Sequence, residues 1–330
     1  MLRILDARTG EPVPAAPARR GLTRIETHAF GLDPTALRVL LTADLLVRAL
    51  ELGGTPVWTI LTAPRDQPEL RTAATHLAIR PFEDDRDLAS GLGEAQVIHV
   101  ARWPTPGAWG GGPGEPAVPR GERAEGPAAA APEESAERPA PHLAEGTAAA
   151  VAPGERGEGP PADPAPAARR GRDPAPKARS ASDPMGGLAP GARGEGPLAA
   201  VAPVDWVGPQ PSLTALLADP AALRLALLSV PRHQPARLDG TALDRAAGQL
   251  ADWRRAVAGW ARHPSRPVPE PVRGRLRAAW ENDLDLPGVL DVLRDVARAP
   301  DLSDGARFET YAYADRLLAL DLAQDLGSPA

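Results

Sequence analysis

The sequence predicts an α/β protein with a parallel sheet near its N-terminus, a long disordered linker and a C-terminal α-helical bundle. Three observations support this prediction. Residues 22–62 have the pattern of strand, helix and strand, residues 104–203 lack the apolar side chains that build a core, and residues 204–330 contain successive apolar helical patterns. We therefore expect a sheet domain at 1–103, a linker at 104–203 and a helical domain at 204–330.

The central prediction is a β-α-β unit. Residues 22–28 alternate in the manner of a strand, and Asp33 followed by Pro34 is a helix start signal, with an N-cap acid before proline at the first helical position. The helix that follows is apolar nearly all round, so we expect a parallel sheet to cover it. A strand at residues 55–62 completes a Rossmann-like unit, whose ligand crevice should open where the first strand meets the helix N-terminus.

Other elements follow from shorter patterns. We expect a hairpin near the N-terminus, a short helix at 68–78, an acidic loop at 82–91 and a third parallel strand at 95–101. Helical spacing places the tryptophans of the C-terminal region in a core in preference to an interface. The helices predicted there cover residues 221–229, 241–261, 272–280, 285–297 and 306–326.

Composition narrows the function classes. The chain has 330 residues with 40 prolines and 32 glycines, which are concentrated at 104–203, so this segment cannot offset its ordering entropy and is predicted to be a flexible spacer. A net charge of -6 gives no electrostatic argument for nucleic acid binding. Cysteine is absent, which excludes disulfides, thiolate chemistry and cysteine-based zinc sites. No signal or membrane-spanning pattern is present, so we expect a cytoplasmic protein without a membrane partner.

Six segments of the chain, taken in order, form a recognisable set. They are LRILDARTGEPVP at 2–14, ADLLVRALELGGTPVW at 43–58, DPAALRLALLS at 219–229, the helix at 238–257, AWENDLDLPGVLDVLRDVA at 279–297 and ADRLLALDLAQDLG at 314–327. In this order they resemble the cysteinyl-tRNA synthetase family, including the related ATP-dependent cysteine–glucosaminyl-inositol ligase of mycothiol synthesis. This resemblance implies a class I synthetase Rossmann domain followed by a stem and helical bundle, and ATP-dependent activation of cysteine.

The resemblance also implies a HIGH signature at the helix N-terminus, whose histidines stabilise charge on the ATP phosphates. The matching positions here are Asp33, Pro34, Thr35 and Ala36, so no histidine remains and a carboxylate would face the phosphates. Asp33 is fully explained as a helix N-cap. We retain Asp33, Thr35, Ala36 and Arg38, which follows within a turn, as a residual nucleotide crevice.

Two further devices implied by the resemblance are missing. The family's KMSKS loop matches residues 202–206, which contain no lysine; the only lysine of the chain is Lys177, in the linker. The family's zinc is held by cysteines, a histidine and a glutamate. His28 occupies the first cysteine position and is a candidate metal ligand, but no other ligands fit, and His99 in an apolar strand has the pattern of a core residue. Zinc is therefore not expected, no cofactor is required, and ATP is the one nucleotide cofactor kept open.

These losses predict a pseudoenzyme: a catalytically degenerate synthetase-like protein that binds a nucleotide, a tRNA or a protein partner without activating an amino acid. One alternative is an active ATP-dependent cysteine ligase with a rebuilt site. Its parts would be Arg38 near the phosphates, His28 as base or ligand and the arginines of the linker as a mobile clamp. A second alternative is a non-catalytic adaptor whose helical bundle is a docking surface.

Overall fold

The computed structural model describes residues 1–17, 21–83, 94–103, 196–209 and 211–327. All of them belong to one compact unit formed by residues 1–111 and 185–330. In chain order its elements are β1 (Arg3–Leu5), β2 (Pro12–Pro14), β3 (Leu22–His28), α1 (Pro34–Leu52), β4 (Val57–Thr62), α2 (Gln67–His76), β5 (Glu94–Arg102), β6 (Leu198–Val201), β7 (Val204–Trp206), α3 (Leu213–Leu216), α4 (Pro220–Leu228), β8 (Ala236–Leu238), α5 (Gly240–Trp260), α6 (Glu270–Glu281), α7 (Leu286–Arg298) and α8 (Asp304–Leu318).

The predicted parallel sheet is confirmed. Its four strands lie in the order β4-β3-β5-β6, and all neighbouring pairs are parallel. Helix α1 connects β3 to β4, as the β-α-β pattern predicted, and its apolar side chains pack on the sheet face that carries Ile25 and Ile98. The architecture is that of an α/β protein and is compatible with a Rossmann-like core.

The linker boundary at residue 203 is corrected. Strand β6 lies inside the range 104–203, pairs with β5 and is buried at all four positions. Its sequence LAAV has small side chains, and they pack only because neighbouring strands enclose them. Gly196, with φ of +130°, leads into the strand so close to Val97 that a Cβ atom would collide with the Val97 carbonyl. The loop at 84–91 and most of the linker lie outside the described residues.

The C-terminal helices agree with the sequence patterns, with one exception. Helices α4 to α7 begin and end within two residues of their predicted limits. Helix α8 ends at Leu318, eight residues before the predicted end, because Ala319 is left-handed with φ of +49°. The Asp315 carboxylate then accepts hydrogen bonds from the amides of Leu320 and Leu322, at 2.8 and 3.0 Å, and so holds the chain in a turn.

The aromatic side chains of this region are core residues, as their spacing predicted. Trp253 and Trp280 are buried, and Trp253 and Trp260 both contact the buried ring of Tyr311, with centroids 5.9 and 5.1 Å away. None of the helices in the described part of the chain is long and apolar enough to cross a membrane.

Buried arginines join the two stretches of sequence on either side of the linker. Arg224 of α4 donates to the Asp44 carboxylate of α1 at 2.8 Å and to the Leu77 carbonyl at 2.6 Å. Arg232, in the loop after α4, donates to the Leu5 carbonyl of β1 at 2.9 Å. These bonds satisfy polar groups that both stretches bury, so the sheet and the C-terminal helices share one interior.

Candidate functional site

The first candidate site is the N-terminus of α1, where the predicted nucleotide crevice should open. Asp33 caps the helix as predicted: its Oδ1 accepts a hydrogen bond from the Ala36 amide at 2.7 Å. Its Oδ2 lies 3.1 Å from Nη2 of Arg102, at the end of β5. A helix N-terminus attracts anions through its exposed amides, and here a carboxylate of the same chain already takes that place.

The next two predicted residues are part of the packing. Thr35 is buried, and its hydroxyl accepts a hydrogen bond from the Val204 amide at 2.9 Å. Ala36 is also buried. The resemblance matches residues 202–206 to the lysine-bearing KMSKS loop. These residues include β7, which pairs with β8 and is held against α1 by the bond from Val204 to Thr35.

Arg38 lies in a different environment from the one predicted. Its side chain is 2 % exposed, and its guanidinium donates four hydrogen bonds to main-chain carbonyls. Nη1 reaches Ala202 and Gln234 at 3.1 and 2.7 Å, and Nη2 reaches Val230 and Pro231 at 3.0 and 2.8 Å. Burial lowers the pKa of Arg38 to about 10, so the group stays charged at neutral pH. The assignment of Arg38 to a phosphate crevice is therefore corrected, because its guanidinium binds the turn after β6 and the loop after α4.

The space at the crevice is small. The cavity between the end of β3 and the start of α1 has a volume of about 10 Å³ and is lined by residues that include His28, Asp33 and Arg102. Pockets that hold drug-sized ligands have volumes of about 300–1,000 Å³. The described residues therefore form no nucleotide-sized pocket at the position where the β-α-β unit predicted one.

The second candidate site is a cluster of two imidazoles and a carboxylate on the sheet face opposite α1. Glu26 and His28 alternate on β3, and Glu26 pairs in register with His99 of β5. His28 Nε2 lies 3.2 Å from His99 Nδ1. The Glu26 oxygens lie 4.0 Å from His28 Nε2 and 3.5 Å from His99 Nδ1. Among the described residues this is the one group of three such side chains close enough to hold a metal ion.

The two histidines are buried, at 0 and 1 % exposure, whereas the Glu26 side chain keeps 17 % of its surface. Desolvation, then the charges of His99 and Arg8, lower the pKa of His28 to about 4. His28 is therefore neutral at pH 7 and has a lone pair on one ring nitrogen. Its Nδ1 is buried and makes no hydrogen bond within the part of the chain that the structure describes.

Positive groups lie beside the carboxylate. Arg24, two residues before Glu26 on the same strand face, places Nη2 3.7 Å from Glu26 Oε2. Two imidazoles and one carboxylate in contact are a donor set for a divalent transition metal, since imidazole suits zinc, copper, iron and nickel. This is the chemistry that the arrangement supports directly.

The sequence predicts one member of the cluster, His28, as a candidate ligand. The prediction that His99 is a core residue agrees with its burial, but its contact with His28 was not predicted, and no prediction covered Glu26. The i, i+2 spacing of Glu26 and His28 was a usable signal, because alternate residues of a strand share a face. The contribution of His99 needed the strand register, which the sequence does not state.

Comparison with known proteins adds no assignment: no protein-family model matches the chain, and no curated protein matches it.

Proposed function

We propose that this chain is a non-catalytic, synthetase-like protein that acts by binding a partner and does not activate an amino acid. The observation that supports the proposal is the state of the α1 N-terminus. Adenylate formation needs cationic groups and space where charge develops on the phosphates. Here Asp33 occupies the helix end, Arg38 is bound by four carbonyls and the cavity has a volume of about 10 Å³.

The same geometry ranks the three classes of partner. A nucleotide is the least supported, because the described residues fill the crevice that would hold it. A protein or a tRNA would bind an outer surface and would not need this crevice. The alternative of an active ligase with a rebuilt site depends on a cation at the crevice, and Arg102, paired with Asp33, is the group in that position.

The test is an ATP–pyrophosphate exchange assay with cysteine, using a functional cysteinyl-tRNA synthetase as the positive control. We expect no exchange above background, because the described cations near the crevice are already paired: Arg38 with four main-chain carbonyls and Arg102 with Asp33. Robust exchange that is lost in Arg102→Ala and kept in Arg255→Ala would overturn the proposal in favour of the active ligase. Arg255 is a matched control because its side chain is 76 % exposed and lies on α5.

A further inference from the structure

We propose that Glu26, His28 and His99 form a binding site for one divalent transition-metal ion, with zinc as the best-fitting ion. This inference goes beyond the proposed function and does not depend on it, because a metal can be bound whether or not an amino acid is activated. The ligand set also differs from the one that the family resemblance implies, since it contains no cysteine and takes all its donors from two paired strands.

The separations of the donor atoms fit a tetrahedral ion. Zinc bonds to nitrogen and oxygen are about 2.0–2.2 Å long, so two donors of a tetrahedral site lie roughly 3.3–3.5 Å apart, and neighbouring donors of an octahedral site roughly 3.0 Å apart. The observed separations are 3.2 Å between His28 Nε2 and His99 Nδ1, 3.5 Å from Glu26 Oε2 to His99 Nδ1 and 4.0 Å from Glu26 Oε1 to His28 Nε2. The first two lie closer to the tetrahedral value. The third involves the other carboxylate oxygen, and rotation of the Glu26 carboxylate can bring a single oxygen nearer to both nitrogens.

The strand pairing supplies the rigidity that such a site needs. Glu26 and His99 are partners in the register of β3 and β5, and His28 is two residues along the same strand face. Both strands are interior to the sheet, because the order is β4-β3-β5-β6. Donors on paired interior strands are held by main-chain hydrogen bonds before a metal arrives, which reduces the ordering cost of binding.

The composition of the donor set favours zinc over hard cations. Calcium and magnesium prefer six or more oxygen ligands, whereas this cluster offers two imidazole nitrogens and one carboxylate. Three protein ligands leave the fourth tetrahedral position for water or another ligand, as in zinc sites that keep one coordination position open. The partly exposed Glu26 side chain is the route by which an ion enters from solvent.

The experiment uses the full chain without a histidine tag. Chelator-treated protein is mixed with zinc, passed through a desalting column and analysed for metal, and cobalt is titrated separately as a spectroscopic substitute. We expect one zinc per chain, and a visible cobalt spectrum with the high intensity of tetrahedral coordination. A zinc content near zero, or a weak octahedral cobalt spectrum, would overturn the proposal.

Variants locate the site. Glu26→Gln and His28→Asn should each weaken zinc binding by at least about 100-fold, since even residues that only support a ligand cost 10–100-fold. His76→Asn is the matched control, because His76 is an exposed histidine on α2 outside the cluster, and should bind zinc like the native chain.

Circular dichroism checks that each variant folds. If His28→Asn does not fold, Glu26→Gln decides, because its side chain is partly exposed and the change preserves its shape. Binding that survives Glu26→Gln, or that is lost in His76→Asn, would contradict the assignment.

Discussion

Arg38 and His28 are two buried polar side chains at the edges of the same crossover, and they differ in how the fold uses them. The guanidinium of Arg38 donates to four carbonyls from the far side of the linker. The imidazole of His28 meets His99 through Nε2, and its Nδ1 makes no hydrogen bond within the described residues. Both are fully enclosed, at 2 and 0 % exposure.

The difference shows how a buried polar group can be assigned to structure or to ligand binding. Buried donors and acceptors are almost always satisfied, so a group whose capacity is used by main-chain partners is explained by folding alone. Arg38 is such a group. His28 is only partly explained in this way: its Nε2 is within hydrogen-bond distance of His99 and lies beside Glu26 with metal-site spacing, whereas its Nδ1 makes no hydrogen bond within the described residues. Arg38, which the alternative of a rebuilt ligase site places near the phosphates, is therefore structural, and the proposed metal site lies on the opposite face of the sheet.

The largest expected effect is the loss of stability on removing the Arg38 charge. Arg38→Met should lower the free energy of unfolding by at least about 3 kcal/mol, because four buried carbonyls lose their donors and each unsatisfied group costs about 1–3 kcal/mol. Urea denaturation measures it, with Arg255→Met as the exposed control that should change little. A variant of native stability would show that these bonds do not hold the two stretches together.

The next effect is a pH dependence of the metal-free protein. The pKa of His28 is about 4 in the folded chain and near 6.5 when it is unfolded, so the unfolded state binds the extra proton between these values. The free energy of unfolding should therefore fall as the pH drops from 6.5 to 4, by up to roughly 3 kcal/mol. Below pH 4 His28 is protonated in both states, so its effect on the free energy of unfolding should not change further.

Denaturation curves at several pH values test this dependence. His28→Asn should flatten the stability profile between pH 6.5 and 4, whereas His76→Asn should leave its slope unchanged. An unaltered slope in His28→Asn would mean that His28 is not buried in its neutral form.

The smallest effect concerns the helix cap. Asp33→Ala should cost about 1 kcal/mol, as is typical for loss of an N-cap side chain, and should leave zinc binding unchanged. Thermal denaturation and the zinc assay measure the two properties. If the variant gained tight binding of inorganic phosphate, Asp33 would be blocking a functional anion site, and the proposed division between the two regions would fail.

Local sequence signals were sufficient for the elements around the crossover. The alternation at residues 22–28 and the Asp33–Pro34 start signal gave the correct strand and helix start, because both depend on neighbours in the chain. Strand β6 could not be recognised from the sequence, since LAAV is only weakly apolar. It is a strand because it pairs with β5 and because Gly196 allows the chain to pass close to Val97 just before it. The early end of α8 could not be recognised either, because it depends on hydrogen bonds that the Asp315 carboxylate accepts from amides beyond the helix.

The candidate site was less predictable than the fold. His28 could be named from its position, but its role requires Glu26 and His99, which are brought together by the pairing of β3 with β5. The structural role of Arg38 could not be predicted, because it depends on which main-chain carbonyls are buried around its guanidinium. Which side chains meet across a sheet, or from opposite sides of a linker, depends on strand register and packing, and a local sequence pattern predicts neither.

Thermal denaturation of the tag-free chain with zinc or with magnesium ATP tests the central claim most directly. With zinc at 100 times its dissociation constant, binding to the folded state adds about 2.7 kcal/mol, which is enough to raise Tm by several degrees. The account predicts this rise with zinc and none with ATP. A rise with ATP and none with zinc would contradict it.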